Sequence, residues 1–349
     1  MPNKTPDIKG GATQGSKHMI RAELKNIAKA SAVFAALTLT VAQPAAAQTK
    51  IDVASTASLF PQYYPLAVAE QQGYFKDEGL TINEVATGGG GSTVQPIISG
   101  DTPIGLASMS GAILAKLRNA PIKVISGASP NFLSTIVYAV AADSKITKMS
   151  DLAGQQQAKF GYTSGGSITD VASELAVRSE KLKEGTDVTR LALGSMQAQA
   201  AALVTHQIQV ATININAIAN YVVQGKVRVI GDTGDYLKVN EANAIIANTS
   251  YIQRNPDAVK RFMRAYSKAV DYANTHKDDV ERLYADKAGV SQEAAAVVFQ
   301  KLTWTTNVKY EGYLSEFNLL KETKKIPDSA DPKKLFDELV DLSLLPKAP

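Results

Sequence analysis

From residue 51 onward the hydrophobic and polar positions follow two patterns. Short apolar runs bounded by Gly, Pro, Asp or Ser read as strands, and stretches with apolar residues three and four apart read as helices. Residues 51–55 and 80–85 are two such strands. Between them, 64–78 predicts one short helix that Gly73 can end in a left-handed cap. A crossover of that length makes the strands parallel, and such sheets bind ligands beyond the carboxyl ends of their strands. Those ends carry residues 56–61 and the glycine-rich 88–93.

The same pattern continues. Residues 93–99 predict an apolar helix, in which Pro96 is tolerable only if the helix starts near Thr93. Strands are expected at 104–107 and 122–126, with a helix at 111–118 between them. The apolar run 134–141 reads as a first crossover between two lobes, because the composition resets at Asp143. Strands at 160–162, 188–191, 208–213 and 227–230 follow, with a helix after 163–167 that places Val171, Leu175 and Ala176 on one face. Residues 243–247 read as the return crossover. The remainder is helical. Asn255 and Pro256 start a helix whose Val259, Phe262, Met263, Tyr266, Ala269, Val270 and Ala273 form one apolar stripe. Asp331 and Pro332 start another, with Leu335, Phe336, Leu339 and Val340 inward. The expected organisation is residues 1–47 outside the fold, a first lobe of 48–141 plus 244–349, and a second lobe of 142–243.

Residues 1–47 change the charge picture. Arg21, Lys25 and Lys29 precede the apolar run 30–41, and Ala45-Ala46-Ala47 closes it, as in a secretory signal peptide cleaved after Ala47. The run is shorter than the ~20 residues a membrane span needs. This segment carries six of the 37 basic and two of the 33 acidic residues, so 31 of each sign remain. The formal +4 therefore belongs to the leader, and clustered basic charge for nucleic acid is not expected. The sequence has no cysteine, which excludes disulfides and a lipidated cysteine at the cleavage point.

Two glycine-rich loops open helices. Free N–H groups at a helix start, with the helix dipole behind them, bind an anionic group without Arg or Lys. Gly90, Gly91 and Ser92 form the first such start, and Ser164, Gly165, Gly166 and Ser167 the second. Asp170 follows in the first turn, where it either complements the dipole or receives a ligand amine. Residues 99–112 match 205–218 in pattern, each a helix end, a buried strand and two small polar residues spaced by two. On extended backbone that spacing puts both side chains on one side. Ser108 and Ser110, and correspondingly Asn214 and Asn216, are thus expected to face one cleft. Ser58, Phe60 and Tyr63 in the first loop can add a hydroxyl and a ring face.

Catalytic patterns are sparse. Apart from His18 in the leader only His206 and His276 occur, and no nucleophile-elbow, Walker or His-Glu-x-x-His motif is present. Residues 231–235, Gly-Asp-Thr-Gly-Asp, read as a turn after a strand rather than a protease motif. No metal, cofactor or catalytic residue is expected.

The stretch PLAVAEQQGYFKDEGLTINEVATGGGGS, followed by IISGDTPIGLASMSGAILAKL, resembles the nitrate, sulfonate and taurine (NitT/TauT-like) class of periplasmic substrate-binding proteins that serve ABC importers. The resemblance extends from about Ile51 to the C-terminus. It implies an α/β, two-lobed, type II-like periplasmic binding protein fold with mixed sheets, two hinge crossovers and a ligand cleft. It also implies that the C-terminal helices lie against the first lobe. The implied function is extracytoplasmic capture of a small polar or anionic solute by a monomer and its delivery to a membrane permease with an ATPase. Many members have Trp-Glu-Pro where this chain has Asn214-Ile215-Asn216, so their ligand does not carry over; amides serve a carboxylate, sulfonate, amide or ring nitrogen equally. Alkanesulfonate, taurine, nitrate, a thiamine-pyrimidine precursor and an aromatic carboxylate all remain open. The same fold serves thiamine-pyrimidine synthases, which rely on a cysteine-rich segment and histidine chemistry; a third role is a periplasmic sensor subunit.

Overall fold

A computed structural model describes residues 48–55, 60–87, 91–165, 167–237 and 242–346, together with Pro2. By contact the chain divides into Met1–Ala47 and Gln48–Pro349, and the second unit holds every element that follows. The leader and its cleavage position, Ser58, Gly90 and Gly166 lie outside the described residues.

The strands are β1 (Thr49–Ser55), β2 (Leu80–Ala86), β3 (Ile104–Ser108), β4 (Ile122–Gly127), β5 (Ile136–Ala141), β6 (Ala158–Tyr162), β7 (Val188–Ala192), β8 (Val210–Asn214), β9 (Val227–Asp232) and β10 (Asn243–Asn248). They form two five-stranded sheets, in the orders β2-β1-β3-β10-β4 and β7-β6-β8-β5-β9. β1 is parallel to β2 and β3, as the crossover length requires, while β10 runs antiparallel to β3 and β4. The second sheet repeats this scheme, with β6 parallel to β7 and β8 and with β5 antiparallel to β8 and β9.

The run expected as a crossover, 134–141, is mostly strand: β5 sits inside the second sheet with all six residues buried. The chain passes between sheets earlier, through 128–135, which includes a 3₁₀ turn at Phe132–Thr135. Unbroken apolar sequence reflects burial on both faces of a strand, not a linker. Likewise 243–247 is part of β10, and the return passage precedes it.

The helices are α1 (Pro65–Gln71), α2 (Tyr74–Asp77), α3 (Gly91–Ser99), α4 (Met109–Leu117), α5 (Ile168–Ser179), α6 (Met196–Val204), α7 (Ile215–Val223), α8 (Thr249–Arg254), α9 (Pro256–Thr275), α10 (Lys277–Ala288), α11 (Gln292–Phe299), α12 (Tyr310–Glu322) and α13 (Pro332–Leu339). Gly73 does adopt a left-handed conformation, φ +74°, but the chain then winds a second short helix, so α1 and α2 replace the single helix expected. α3 starts at Gly91, two residues earlier than Pro96 suggested.

Alternation along the strands divides the interior. Ile245 and Ala247 of β10, and Ala211 and Ile213 of β8, face one continuous core that also takes in α1, α6, α7, α9, α10 and α11. Their neighbours face elsewhere: Ala244 and Ile246 join a separate core with α4, α12 and α13, and Val210 joins a third core with α5. The two sheets thus share a core on one face and have separate cores on the other. The α9 stripe, with all seven expected residues buried, anchors the shared core. Phe299 of α11 joins its aromatic centre, 5.5 Å from Tyr64 and 5.1 Å from Tyr284. The segment before α12 is fastened to β4 by Gly127 N–H donating to Thr306 O at 3.0 Å. A Cβ on Gly127 would stand 2.2 Å from Asn307 O, so only glycine permits this approach.

Candidate functional site

In each sheet a parallel central strand, β3 or β8, runs directly into a helix; the antiparallel β10 does so as well, into α8 behind its cap Asn248. Ser108 ends β3 with extended backbone, and its Oγ accepts from Gly111 N–H at 3.2 Å, capping α4. Asn214 ends β8 in the same conformation, and its Oδ1 accepts from Asn216 N–H at 3.2 Å, capping α7. Strand-to-helix turning leaves the first helical N–H groups without intrahelical acceptors, and a small polar residue at the boundary satisfies one of them.

The second member of each pair departs from the expectation. Ser110 and Asn216 are already helical, so they do not share a side with Ser108 and Asn214 as residues two apart on a strand would. Each reaches a different C-terminal helix. Ser110 Oγ donates to Glu316 Oε2 of α12, a carboxylate on a residue 5 % exposed. The Asn216 amide lies by the Tyr284 hydroxyl of α10; burial raises the pKa of that phenol and the amide partly offsets the rise.

The two glycine loops differ in what they leave available. Gly91 and Ser92 are the first residues of α3, and Thr93 behind them is fully buried, 2.7 Å from the Thr87 hydroxyl. At the second loop Ser167 caps α5 by accepting from Asp170 N–H at 3.2 Å and joins a hydroxyl cluster with Thr163 and Thr169. Ser164 is exposed in that loop. The Asp170 carboxylate accepts from Arg190 Nη1 at 2.9 Å, so an ion pair takes the place suggested for a ligand amine.

Phe60, half-buried, precedes a 3₁₀ turn at Pro61–Tyr63. Tyr63 Oη donates to Asn243 Oδ1 at 2.8 Å, and burial pushes the phenol far up, keeping it a donor. Asn243 pairs with Ser108 across β10 and β3, which places both side chains on one face. Its Nδ2 and the Gln62 Oε1 are buried without a partner among the described residues. Sequence reading missed Gln62, Asn243 and Glu316. Asn243 carried a weak signal as an amide opening an apolar run, whereas nothing local marks Gln62 or Glu316.

A cavity of about 510 Å³ lies between α5 and α12, on the face where the cores are separate. Val171 and Leu175, expected on one face with Ala176, line it, whereas Ala176 turns to the core; α5 buries Thr169, Ala172, Ser173, Ala176 and Val177. Elsewhere His276 stacks on Tyr272 at 4.1 Å, and His206 lies 3.7 Å from Asp143 at the surface. Among the described residues no three His, Cys, Asp or Glu side chains are grouped to hold a metal ion. No helix among them is long and apolar enough to cross a membrane. The two junctions thus present hydroxyl, amide and N–H groups at the ends of the two sheets.

The sequence profile described as NMT1/THI5 like matches residues 60–280. The chain belongs to the NMT1/THI5-like family. Relatives within reach of its sequence include a 4-amino-5-hydroxymethyl-2-methylpyrimidine phosphate synthase of Aspergillus parasiticus, 24 % identical over 223 residues, covering 61 % of this chain and 63 % of the relative. The match thus spans less than two thirds of that relative's length. YtlA of Bacillus subtilis (strain 168), classed by inference as a binding protein, is 24 % identical over 229 residues, covering 65 % of this chain and 67 % of YtlA. Among solved structures, the periplasmic aliphatic sulphonate binding protein SsuA of Escherichia coli superposes with TM-score 0.64 at 20 % identity, over 82 % of this chain and 91 % of SsuA. The periplasmic nitrate-binding protein NrtA of Synechocystis PCC 6803 gives 0.66 at 13 % identity, over 85 % and 87 %. This NMT1/THI5-like chain therefore has the periplasmic binding protein fold.

Proposed function

We propose that the protein is the extracytoplasmic solute-binding component of an ABC importer, holding a small polar or anionic organic solute between two lobes without converting it. The observation that carries this reading is the pair of capped strand-to-helix junctions, Ser108 with Ser110 and Asn214 with Asn216, at corresponding ends of two sheets built to one scheme. Two such ends, one per sheet, hold a ligand only when both face it, and lobe closure around the solute follows from that requirement. The helix starts at Gly91-Ser92 and behind the cap Ser167 add N–H donors for a sulfonate, nitrate or carboxylate. Export with cleavage after Ala47, and a permease and ATPase as partners, belong to the same reading.

A second reading, a pyrimidine synthase, draws support from the names of the Aspergillus and similar relatives. Against it, the sequence has no cysteine and three histidines, one of them in the leader. One experiment separates the two. Protein purified natively is denatured and its released solute weighed by mass spectrometry, before and after incubation of the complex. A stoichiometric solute of unchanged mass supports capture. Appearance of a pyrimidine product, or retention of residues 30–41 in the exported protein's intact mass, counts against it.

A further inference from the structure

We propose that the groove between α5 and α12 is a binding site for the apolar body, of branched-alkyl or aryl size, of an amphipathic solute. On α5, Ile168, Val171 and Leu175 stand at i, i+3 and i+7, one stripe of the helix, and all three line the cavity. None of them belongs to the core, which the same helix meets with Ala176 and Val177, while the buried Ala172 lies at the groove between the two stripes. A helix with a second apolar stripe has a second surface to cover. Ile168 is 39 % exposed, one of two large hydrophobic side chains so exposed among the described residues.

Leu319 faces this stripe from α12. The two helices belong to different cores, so neither can settle onto the other without moving its sheet, and the space between them stays open. Its volume, about 510 Å³, lies within the range of small-molecule sites, and Leu133 and Leu237 extend the apolar stripe while polar and charged side chains make up most of the rest of the lining. The lining carries three carboxylates, Glu174, Glu316 and Glu322, against one guanidinium, Arg178, so charge does not draw an anion along the groove and the apolar stripe is left to hold the solute's body.

The groove also meets the site already described. Glu316 lines it and accepts the hydrogen bond of Ser110, and Ile168 follows directly on Ser167, the cap of α5. A solute with its polar end at Ser110 and Ser167 would lay its apolar body along Val171, Leu175 and Leu319. Only the placement of the polar end rests on the solute-capture reading; the groove itself does not.

The test uses the full chain and 1-anilinonaphthalene-8-sulfonate, an aryl body with a polar head, titrated by fluorescence. The parent protein should bind it saturably. Leu175→Gln, Leu319→Gln and the groove-filling Val171→Trp should each weaken binding roughly tenfold or more, as loss of one large apolar contact implies. Val223→Gln, at the exposed hydrophobic residue on α7, should bind as the parent does. Circular dichroism and cooperative thermal unfolding identify variants that keep the fold, and because one class adds polarity and the other adds bulk, a folding defect in either leaves the other decisive. Naphthalene should displace the probe and methanesulfonate should not. Equal affinity in the folded groove variants, equal loss in Val223→Gln, or displacement by methanesulfonate alone overturns the proposal. If the natively purified protein carries and binds no solute while the groove variants behave as expected, the capture reading fails and the groove stands. If a stoichiometric solute is held equally by all folded groove variants, the groove fails and capture stands.

Discussion

The two faces of the molecule use similar junctions to opposite ends. On one face α7, which Asn214 caps, packs against α11, and both sheets feed one core centred on Phe299, Tyr64 and Tyr284. On the other, the helix carrying Ser110 bonds to α12, but α12 and α5 belong to separate cores with a cavity between them. The cap residues have nearly the same backbone, φ −71°, ψ 140° at Ser108 and φ −73°, ψ 135° at Asn214, so backbone alone does not distinguish the junctions. What distinguishes them is the partner that the C-terminal helices supply. Relative motion of the sheets is therefore expected on the α5–α12 face, because sliding α7 on α11 would expose buried apolar surface whereas widening the groove would not.

The largest effect that can break this contrast is alkaline unfolding. Burial raises the phenol pKa of Tyr63, Tyr64, Tyr266 and Tyr313, and of Tyr138 in the second sheet's own core, above the ordinary 10.0. A raised folded pKa contributes stability that is complete below about pH 10 and is lost as pH rises further, because the unfolded chain releases the protons first. Phenolate absorbance of these buried tyrosines should therefore develop in one step together with loss of circular dichroism. If a single buried phenol ionises in an earlier step while the rest of the fold persists, the shared core does not hold the sheets together.

Next in size, Phe299→Ala should cost about 3–5 kcal/mol in denaturant unfolding, the usual result of deleting a buried aromatic side chain. Phe299 is 1 % exposed. Leu175→Ala on the open face, half-buried along the cavity, should cost about 1 kcal/mol or less. Similar costs at the two positions would erase the difference between the faces.

The junctions themselves give smaller effects. Ser110→Ala removes a hydrogen bond to a carboxylate and should cost about 1.5–3 kcal/mol. Asn214→Ala, which removes a helix cap, should cost about 0.5–2 kcal/mol. Equilibrium unfolding of both variants and of the double variant should give additive losses, since they act at separate junctions. Strong coupling between them would mean that the two ends already touch through a shared network.

The smallest effect concerns Lys301, which follows α11 and lies 2.5 Å from Asp232 at the end of β9. The hydrogen bond to Asp232 raises the lysine pKa, so its contribution persists below the ordinary lysine range and fades as pH rises through the folded value. The lysine side chain is 60 % exposed, and solvent screening limits Lys301→Gln to under about 1 kcal/mol, less at high salt. A larger loss would make this pair, rather than apolar packing, the tie between α11 and the second sheet.

Much of the frame was legible in the residues. Parallel pairing of β1 with β2 follows from a crossover too long for a hairpin, and the α9 stripe follows from helical spacing. The repeat of 99–112 at 205–218 anticipated two equivalent strand-to-helix junctions, because caps and strand ends are local and their residues lie within a few positions of one another. Burial on both faces of β5 was not legible as such: an apolar run has the same composition whether it links two sheets or lies within one. Nor could local pattern tell that Val171 and Leu175 leave the core, since periodicity gives a face but not what lies opposite it. The partners of Ser110 and Asn216, Glu316 and Tyr284, come from helices far along the chain, and only the packing of those helices decided which junction is sealed and which opens on a cavity. Short-range hydrogen bonding and hydrophobic spacing are written in the sequence, whereas the choice between a filled and an open interface depends on the summed burial of elements distant in the chain.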